Sequence, residues 1–308
     1  MSPFAEILAR EPFVVLDGGL ASELAHRGHD LDDPLWSARV LLVDPAAIAA
    51  VHRDYYAAGA DVAITATYQA GFPGLRARGL DDASIAAVLR SAVALARGEA
   101  DRVTDRPRPL VAASLGSYGA TVPGGSEYTG EFGAIDDDAL ATFHAQRLAV
   151  LRDGSDVVAF ETIPSRREAR VIARVLAEAA PGLSAWVSFT CRDAVHTGSG
   201  DRIVDCAAEL AGAPGLAAIG INCTAPHLVA DALVELGRAT ELPRIAYPNA
   251  GESWTDGHWC GTRVGAEAFA AQARSWWSAG ARLLGGCCRT TPAHVAALAH
   301  LRDDLRAR

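Results

Sequence analysis

The sequence contains no lysine: all 28 of its Lys-plus-Arg residues are arginine. Without a side-chain primary amine there is no Schiff-base nucleophile, no attachment point for pyridoxal phosphate and no phosphate-gripping lysine of the Walker type. Long apolar runs are missing too. A membrane span needs roughly 18 consecutive apolar residues, and Arg, Asp or Glu interrupts every helix-like stretch before that length. Basic charge is short, the formal net charge being −9, so neither nucleic acid nor an anionic membrane is expected as a partner. The opening MSPFAEILAREPF lacks the basic-then-apolar order of a secretion signal. A cytoplasmic, reducing location is therefore expected, in which cysteines are thiols or metal ligands rather than disulfides. No low-complexity segment or charge block marks a linker, although Gly, Pro and Ser cluster briefly at 116–130 and 198–200. One domain over 1–308 is the expectation.

What is present is a rhythm. Half of the 308 residues are apolar, a length that permits two ordinary domains or one α/β barrel. Short apolar runs recur at 13–19, 61–68, 109–116, 157–164, 184–191, 217–224, 243–251 and 281–288. Ala-rich segments of helical periodicity lie between them, among them 45–59, 82–100, 137–154 and 266–280, several closing on a glycine suited to a helix C-cap. Strands apolar on both faces belong to parallel sheets, and eight strand-then-helix units point to an α/β fold, a single (β/α)8 TIM barrel. A doubly wound open sheet is the structural rival.

Barrel sites form at the C-terminal strand ends. Here those ends carry Asp17-Gly18-Gly19, Thr65 and Thr67, Ser114 to Gly116, Glu161-Thr162, Asn222-Cys223, Tyr247 to Asn249, and Cys287-Cys288. Cys223 ends the sixth run and Cys287-Cys288 the eighth, so barrel closure would bring three thiols to one rim. Three thiolates with an open fourth position match a catalytic zinc site. Adjacent strand residues point to opposite faces, so Cys287 and Cys288 share an ion only where the strand has ended. Gly285-Gly286 before them relax the backbone, and Thr291-Pro292 after them read as N-cap and first residue of the last helix. Two alternatives stay open for this trio: small buried hydrophobes, the default for Cys191, Cys206 and Cys260, and a vicinal disulfide.

Other features read as structural. His26 and His29 fit a solvated loop, and His294 and His300 lack the i, i+4 spacing of paired ligands. GSGD at 198–201 has no lysine beside it and reads as a loop. Tyr55-Tyr56 and Trp276-Trp277 read as packing aromatics, and Asp136 to Asp138 as a helix start.

At LDGGLASELAHRG, LWSARVL, ITATYQA, GSYGA, FETIPS, GINCTAP, YPNAGE and GGCCRTTP the sequence resembles the homocysteine S-methyltransferase family, from about residue 13 to about 300. Within it, LWSA, SEYTG and YPNAGE look most like the bacterial and plant enzymes that use S-methylmethionine, or less readily S-adenosylmethionine. The resemblance implies zinc, Zn2+, on Cys223, Cys287 and Cys288, and methyl transfer to the thiol of L-homocysteine to form methionine. Two departures are visible: GSYGA has Ser117 where the family commonly has Pro, and Ser22 stands where Thr is usual. Both bear on donor fit.

A free thiol is mostly protonated at pH 7, and zinc coordination would ionise it. Attack on a sulfonium releases neutral methionine and needs no general acid, and zinc would activate the thiol that a base would otherwise deprotonate, so no protein general base is assigned. Asp17 and Glu161 are expected to hold the substrate ammonium, with Gly18, Gly19, Thr65 and Thr67 toward its carboxylate and Asn222 beside Cys223. Tyr118, Tyr247, Asn249 and Glu252 are expected on the donor side, because an aromatic face or a carboxylate suits a sulfonium. The rivals are a betaine donor with the same acceptor, which would need a fuller aromatic cage, and a non-catalytic zinc- or thiol-binding barrel.

Overall fold

Each of the eight apolar runs contains a strand in the computed structural model, which describes residues 2–33, 35–121, 126–179, 182–255 and 258–307. In chain order these are β1 (Val14–Val15), β2 (Val62–Ile64), β3 (Leu110–Gly116), β4 (Val157–Ile163), β5 (Ala185–Phe189), β6 (Leu216–Asn222), β7 (Arg244–Tyr247) and, after the short antiparallel pair β8 (Ser253–Thr255) and β9 (His258–Cys260), β10 (Ala281–Leu284). The sheet order is β1-β10-β7-β6-β5-β4-β3-β2, parallel throughout. The ring closes between its ends through a parallel bridge of Leu16 with Val62. There Asp17 N–H donates to Val62 O at 3.0 Å and Asp61 N–H to Val15 O at 2.7 Å. The rival open sheet is thereby replaced by a (β/α)8 barrel.

Local chemistry sets the helix limits. The segments expected at 45–59, 82–100, 137–154 and 266–280 form helices Pro45–Ala57, Asp82–Ala100, Asp137–Leu151 and Ala266–Ser278. Asp44, Asp81 and Asp136 cap three of them by accepting the N–H groups of Ala47, Ser84 and Ala139. Gly59 and Gly280 then turn the chain at φ +100° and +94°, where a Cβ would be strained. Among the described residues no helix is long and apolar enough to cross a membrane.

Every residue of β3, β4 and β5 is buried, because helices cover the outside and side chains fill the inside. The inward positions stack in layers. Val14, Leu110, Ala112, Val157, Ala159, Trp186, Ala218 and Ile245 form the apolar floor, closed from below by Phe4 of the helix Pro3–Arg10, whose ring lies 5.9 Å from that of Trp186. One inward step further toward the C-terminal ends, β3, β4, β5 and β7 carry Ser114, Glu161, Ser188 and Tyr247, all buried. The barrel interior thus changes from apolar to polar within one side-chain layer, and that layer is the base of the site.

Candidate active site

The cavity above this polar layer is walled by Asp17 to Ser22, Trp36-Ser37, Ile64 to Ala66, Tyr68, Glu127-Tyr128, Glu161-Thr162, Asn222-Cys223, Tyr247 and Gly286 to Cys288. Its volume is about 110 Å³.

Three thiols converge on one side. Cys223 Sγ lies 2.8 Å from Cys287 Sγ and 3.7 Å from Cys288 Sγ, and the adjacent pair is 4.0 Å apart. Among the described residues, this is the one group of three His, Cys, Asp or Glu side chains whose ligand atoms lie within 4.8 Å of one another. Tetrahedral ligands at about 2.3 Å from zinc stand about 3.8 Å from each other. Two of the three separations fit that spacing, and opening the third by about 1 Å completes it. β10 ends at Leu284, three residues before Cys287, so the strand rule that sends neighbours to opposite faces no longer applies. Gly285 and Gly286 serve close packing rather than a left-handed turn. A Cβ on Gly285 would stand 2.6 Å from Leu16 Cβ, and one on Gly286 2.3 Å from Thr290 Oγ1. The left-handed residue is Arg289, at φ +69°.

Crowding three thiols divides their acidity. Hydrogen bonds from Cys223 and then Cys287 hold Cys288 well below the ordinary thiol value. The hydrogen bonds of Cys287 to Cys223 and Cys288, together with burial, push Cys287 well above it. Three neighbouring thiolates need a cation, which is the chemistry of a metal ligand set. Cys191, Cys206 and Cys260 are free thiols away from this cluster.

Two buried carboxylates line the same cavity. Glu161 Oε1 accepts a short hydrogen bond from Ser114 Oγ, and its Oε2 accepts from Tyr247 OH at 3.1 Å. Tyr247 is itself fixed, accepting from Trp186 Nε1 at 3.2 Å and lying 2.5 Å from Ser188 Oγ. Burial pushes Glu161 up to about 7 despite these donors. Asp17 Oδ2 accepts Ile64 N–H at 2.8 Å, while Oδ1 is buried with no partner. Burial, and then the nearby Glu161 charge, raise Asp17 well above the usual carboxylate range. A buried acceptor without a donor is costly, and a cationic substrate group would satisfy it.

Glu161 points inward at a break in the ladder. The β4–β5 register shifts between Phe160 and Ile163, and Thr162 takes φ +59°. Such a bulge re-aims side chains. The Asn222 amide closes the gap, accepting Thr162 N–H at 2.8 Å and donating to Thr162 Oγ1 at 2.7 Å. Trp36, Thr162, Cys223 and Arg289 are the non-glycine residues with positive φ among those described. All four line the cavity or adjoin its thiols, where strain of about 1–3 kcal/mol each is typical of functional sites.

The other sequence candidates divide. Gly19 N–H donates to Thr290 Oγ1 at 3.0 Å; Thr65 Oγ1 accepts Ser114 N–H and lies 2.7 Å from Thr67 Oγ1; Thr67 donates to Ser114 O. These groups, read as carboxylate binders, are engaged with the barrel. Of the four donor-side candidates only Tyr247 reaches the cavity, and it sits at the base. Tyr118 stacks edge-on against Phe143 and Phe132 at 5.2 and 5.8 Å; Asn249 donates its N–H to Thr224 O; Glu252 is ion-paired with Arg289 and Arg263. None of those three lines the cavity.

Residues not singled out from the sequence line the cavity instead: Trp36, Tyr68, Glu127 and Tyr128. Tyr128 OH lies 3.7 Å from Cys223 Sγ, and burial pushes Glu127 up to about 7. They stand within LWSARVL, ITATYQA and SEYTG, but Trp36 comes from a turn, and Glu127 and Tyr128 from the short 3-10 helix Ser126–Tyr128, rather than from strand ends. GSGD is a loop, as read, and it supports this wall: a Cβ on Gly198 would stand 2.0 Å from Tyr128 O.

Fold and site together define a (β/α)8 barrel with a three-thiol centre and two buried carboxylates in one cavity at its C-terminal rim. The sequence profile of the family Homocysteine S-methyltransferase matches residues 14–301, and the chain belongs to that family of methyltransferases. It is 43% identical to the homocysteine S-methyltransferase YbgG of Bacillus subtilis, over 99% of each chain. It superposes on the metallated form of the homocysteine methyltransferase MmuM from Escherichia coli with a TM-score of 0.87 and 42% identity, covering 97% of this chain and 99% of the other. The oxidized form of MmuM gives a TM-score of 0.87 at 43% identity with the same coverage.

Proposed function

We propose that the protein, acting as one domain over 1–308 in a reducing cytoplasm, transfers a methyl group from S-methylmethionine or S-adenosylmethionine to the thiol of L-homocysteine. Methionine is the product. The carrying observation is the pairing, in one cavity, of three converging thiols with two buried carboxylates, one having an unpartnered oxygen.

Cys223, Cys287 and Cys288 would hold zinc with a fourth position left for the substrate sulfur, as their donor type and spacing suit. Bound there, zinc supplies the Lewis acidity that ionises an alkyl thiol near neutral pH. The chain's own residues do the rest. Asp17 and Glu161 bind the homocysteine ammonium; the Ser114, Tyr247 and Ser188 hydroxyls fix the Glu161 carboxylate, so binding requires little reorganisation. Asn222 holds the bulge that aims it. No protein base is required, because a thiol bound to zinc would lose its proton to solvent, and no general acid, because the leaving group is a neutral thioether.

The cavity wall suits the donor. Trp36, Tyr68 and Tyr128 present aromatic surface to a sulfonium, and Glu127 adds negative charge for the donor's ammonium. These residues supply the aromatic enclosure that the sequence candidates alone lacked, and they also suit a quaternary ammonium, so a betaine donor is the second reading. Glu127 separates the two, since S-methylmethionine carries a primary ammonium besides its sulfonium, whereas the only cation of betaine is the quaternary ammonium that bears its methyl groups. Initial rates with S-methylmethionine, S-adenosylmethionine and betaine, with zinc quantified in the same preparation, test the proposal. The expected order places S-methylmethionine first; turnover by betaine alone, or full turnover without metal, overturns it.

A further inference from the structure

Tyr247 to Glu252 lie between the two loops that carry the thiols. β7 ends at Tyr247, yet the chain beyond it keeps strand-like pairing on both sides. Tyr247 O accepts Cys223 N–H at 3.3 Å and Asn249 N–H donates to Thr224 O at 3.1 Å. On the other edge Pro248 O accepts Cys287 N–H at 2.8 Å and Ala250 N–H donates to Cys288 O at 3.0 Å. Alternate residues of an extended chain direct their backbone groups to opposite edges, so one segment serves both loops. The missing N–H of Pro248 costs nothing, because only its carbonyl is used.

The far end of the segment is tied by charge. Arg289, directly after Cys288, approaches Glu252 through Nε at 2.9 Å and Nη2 at 3.2 Å, a two-point contact on a carboxylate whose side chain is 10% exposed. Arg289 N–H donates to Ser22 Oγ at 2.7 Å. Its left-handed backbone is disfavoured for a residue with a Cβ, so other contacts must hold it. Arg263 reaches the same carboxylate at 3.2 Å from outside the thiol loops.

We propose that residues 247–252 are a splint that sets the spacing of the three thiolates, and that the Glu252–Arg289 pair is its lock. Glu252 and Arg289 are positioning residues: neither is a ligand, and both act through the turn carrying Cys287 and Cys288. The proposal rests on reading those cysteines, with Cys223, as metal ligands.

The test is zinc affinity by chelator competition, together with the visible absorption of the cobalt-substituted protein, for the full chain and its E252Q, R289A, R289G and R263A variants. Loss of a group that orients a metal ligand typically lowers affinity about 10–100-fold. E252Q, R289A and R289G are expected to fall in that range with altered cobalt spectra, and R263A to stay within about twofold of wild type. Metal-free unfolding temperatures separate loosened ligands from a failed fold. Wild-type affinity and spectra in E252Q and R289A overturn the lock while leaving the metal reading intact. Recovery of wild-type affinity in R289G alone overturns it too, because backbone ease and not the guanidinium would then govern the site. A wild-type protein that takes up no zinc overturns the metal reading and this proposal together.

Discussion

Replacing Glu161 with Gln tests the substrate-ammonium site with little disturbance to the barrel. The substitution keeps the shape of the side chain and an oxygen acceptor for one of the Ser114 and Tyr247 hydroxyls, and the other hydroxyl then accepts from the amide NH2. It removes the negative charge opposite Asp17 Oδ1. A hydrogen bond to a charged partner contributes about 1.5–3 kcal/mol, and about 1.4 kcal/mol is a factor of ten. The expected loss in kcat/KM for homocysteine is therefore about ten- to hundredfold, carried mainly by KM, with the donor KM unchanged. The pH profile is a second readout. Burial places Glu161 at about 7, and only its ionised form attracts an ammonium. In the wild type kcat/KM for homocysteine should fall as pH drops through about 7, because that parameter reports the free enzyme. In E161Q that acid limb should be gone. Steady-state kinetics with homocysteine varied at saturating donor, from pH 6 to 8, measure both. An unchanged kcat/KM together with an unchanged acid limb would remove Glu161 from the substrate site.

Tyr247→Phe deletes a donor to the ionised form of Glu161, so the Glu161 pKa should rise and the acid limb move to higher pH; an unmoved midpoint argues against the contact. Cys223→Ala should abolish metal uptake and methyl transfer together, and a fully active, metal-free variant would sink the three-thiolate reading. Asn222→Ala leaves the Thr162 N–H buried without its acceptor, a loss of about 2 kcal/mol. The unfolding midpoint should fall by about 3 °C, and a scan showing no change would show that the bulge does not need the amide.

The barrel was legible because its signals are local. Apolar runs, Asp caps and C-terminal glycines each act within a few residues, and all eight strands and the four helices named from the sequence appear where those signals lie. The site was legible where it coincides with strand ends, as at Asp17, Glu161, Asn222 and Tyr247. It was not legible at Trp36, Glu127 and Tyr128, because a turn and a short 3-10 helix bring them over the barrel and no periodicity marks which residue there turns inward. Glu252 shows the converse. Its carboxylate suggested the donor side, because a negative charge suits a sulfonium, but Arg289, 37 residues further along, pairs with that carboxylate.

Thus the sequence by itself determined the class of fold, the rim on which the chemistry sits and the family to which the chain is similar. Composition, period and motif spacing are properties of the chain alone. The tertiary structure decided how close three sulfurs come, which oxygen of Asp17 lacks a partner, how Asn222 mends the ladder beside Glu161 and which aromatic rings line the cavity. Those distances follow from barrel closure and loop packing between residues far apart in sequence. The cysteines were visible as letters, but only folding brings 223, 287 and 288 within 4.0 Å of one another.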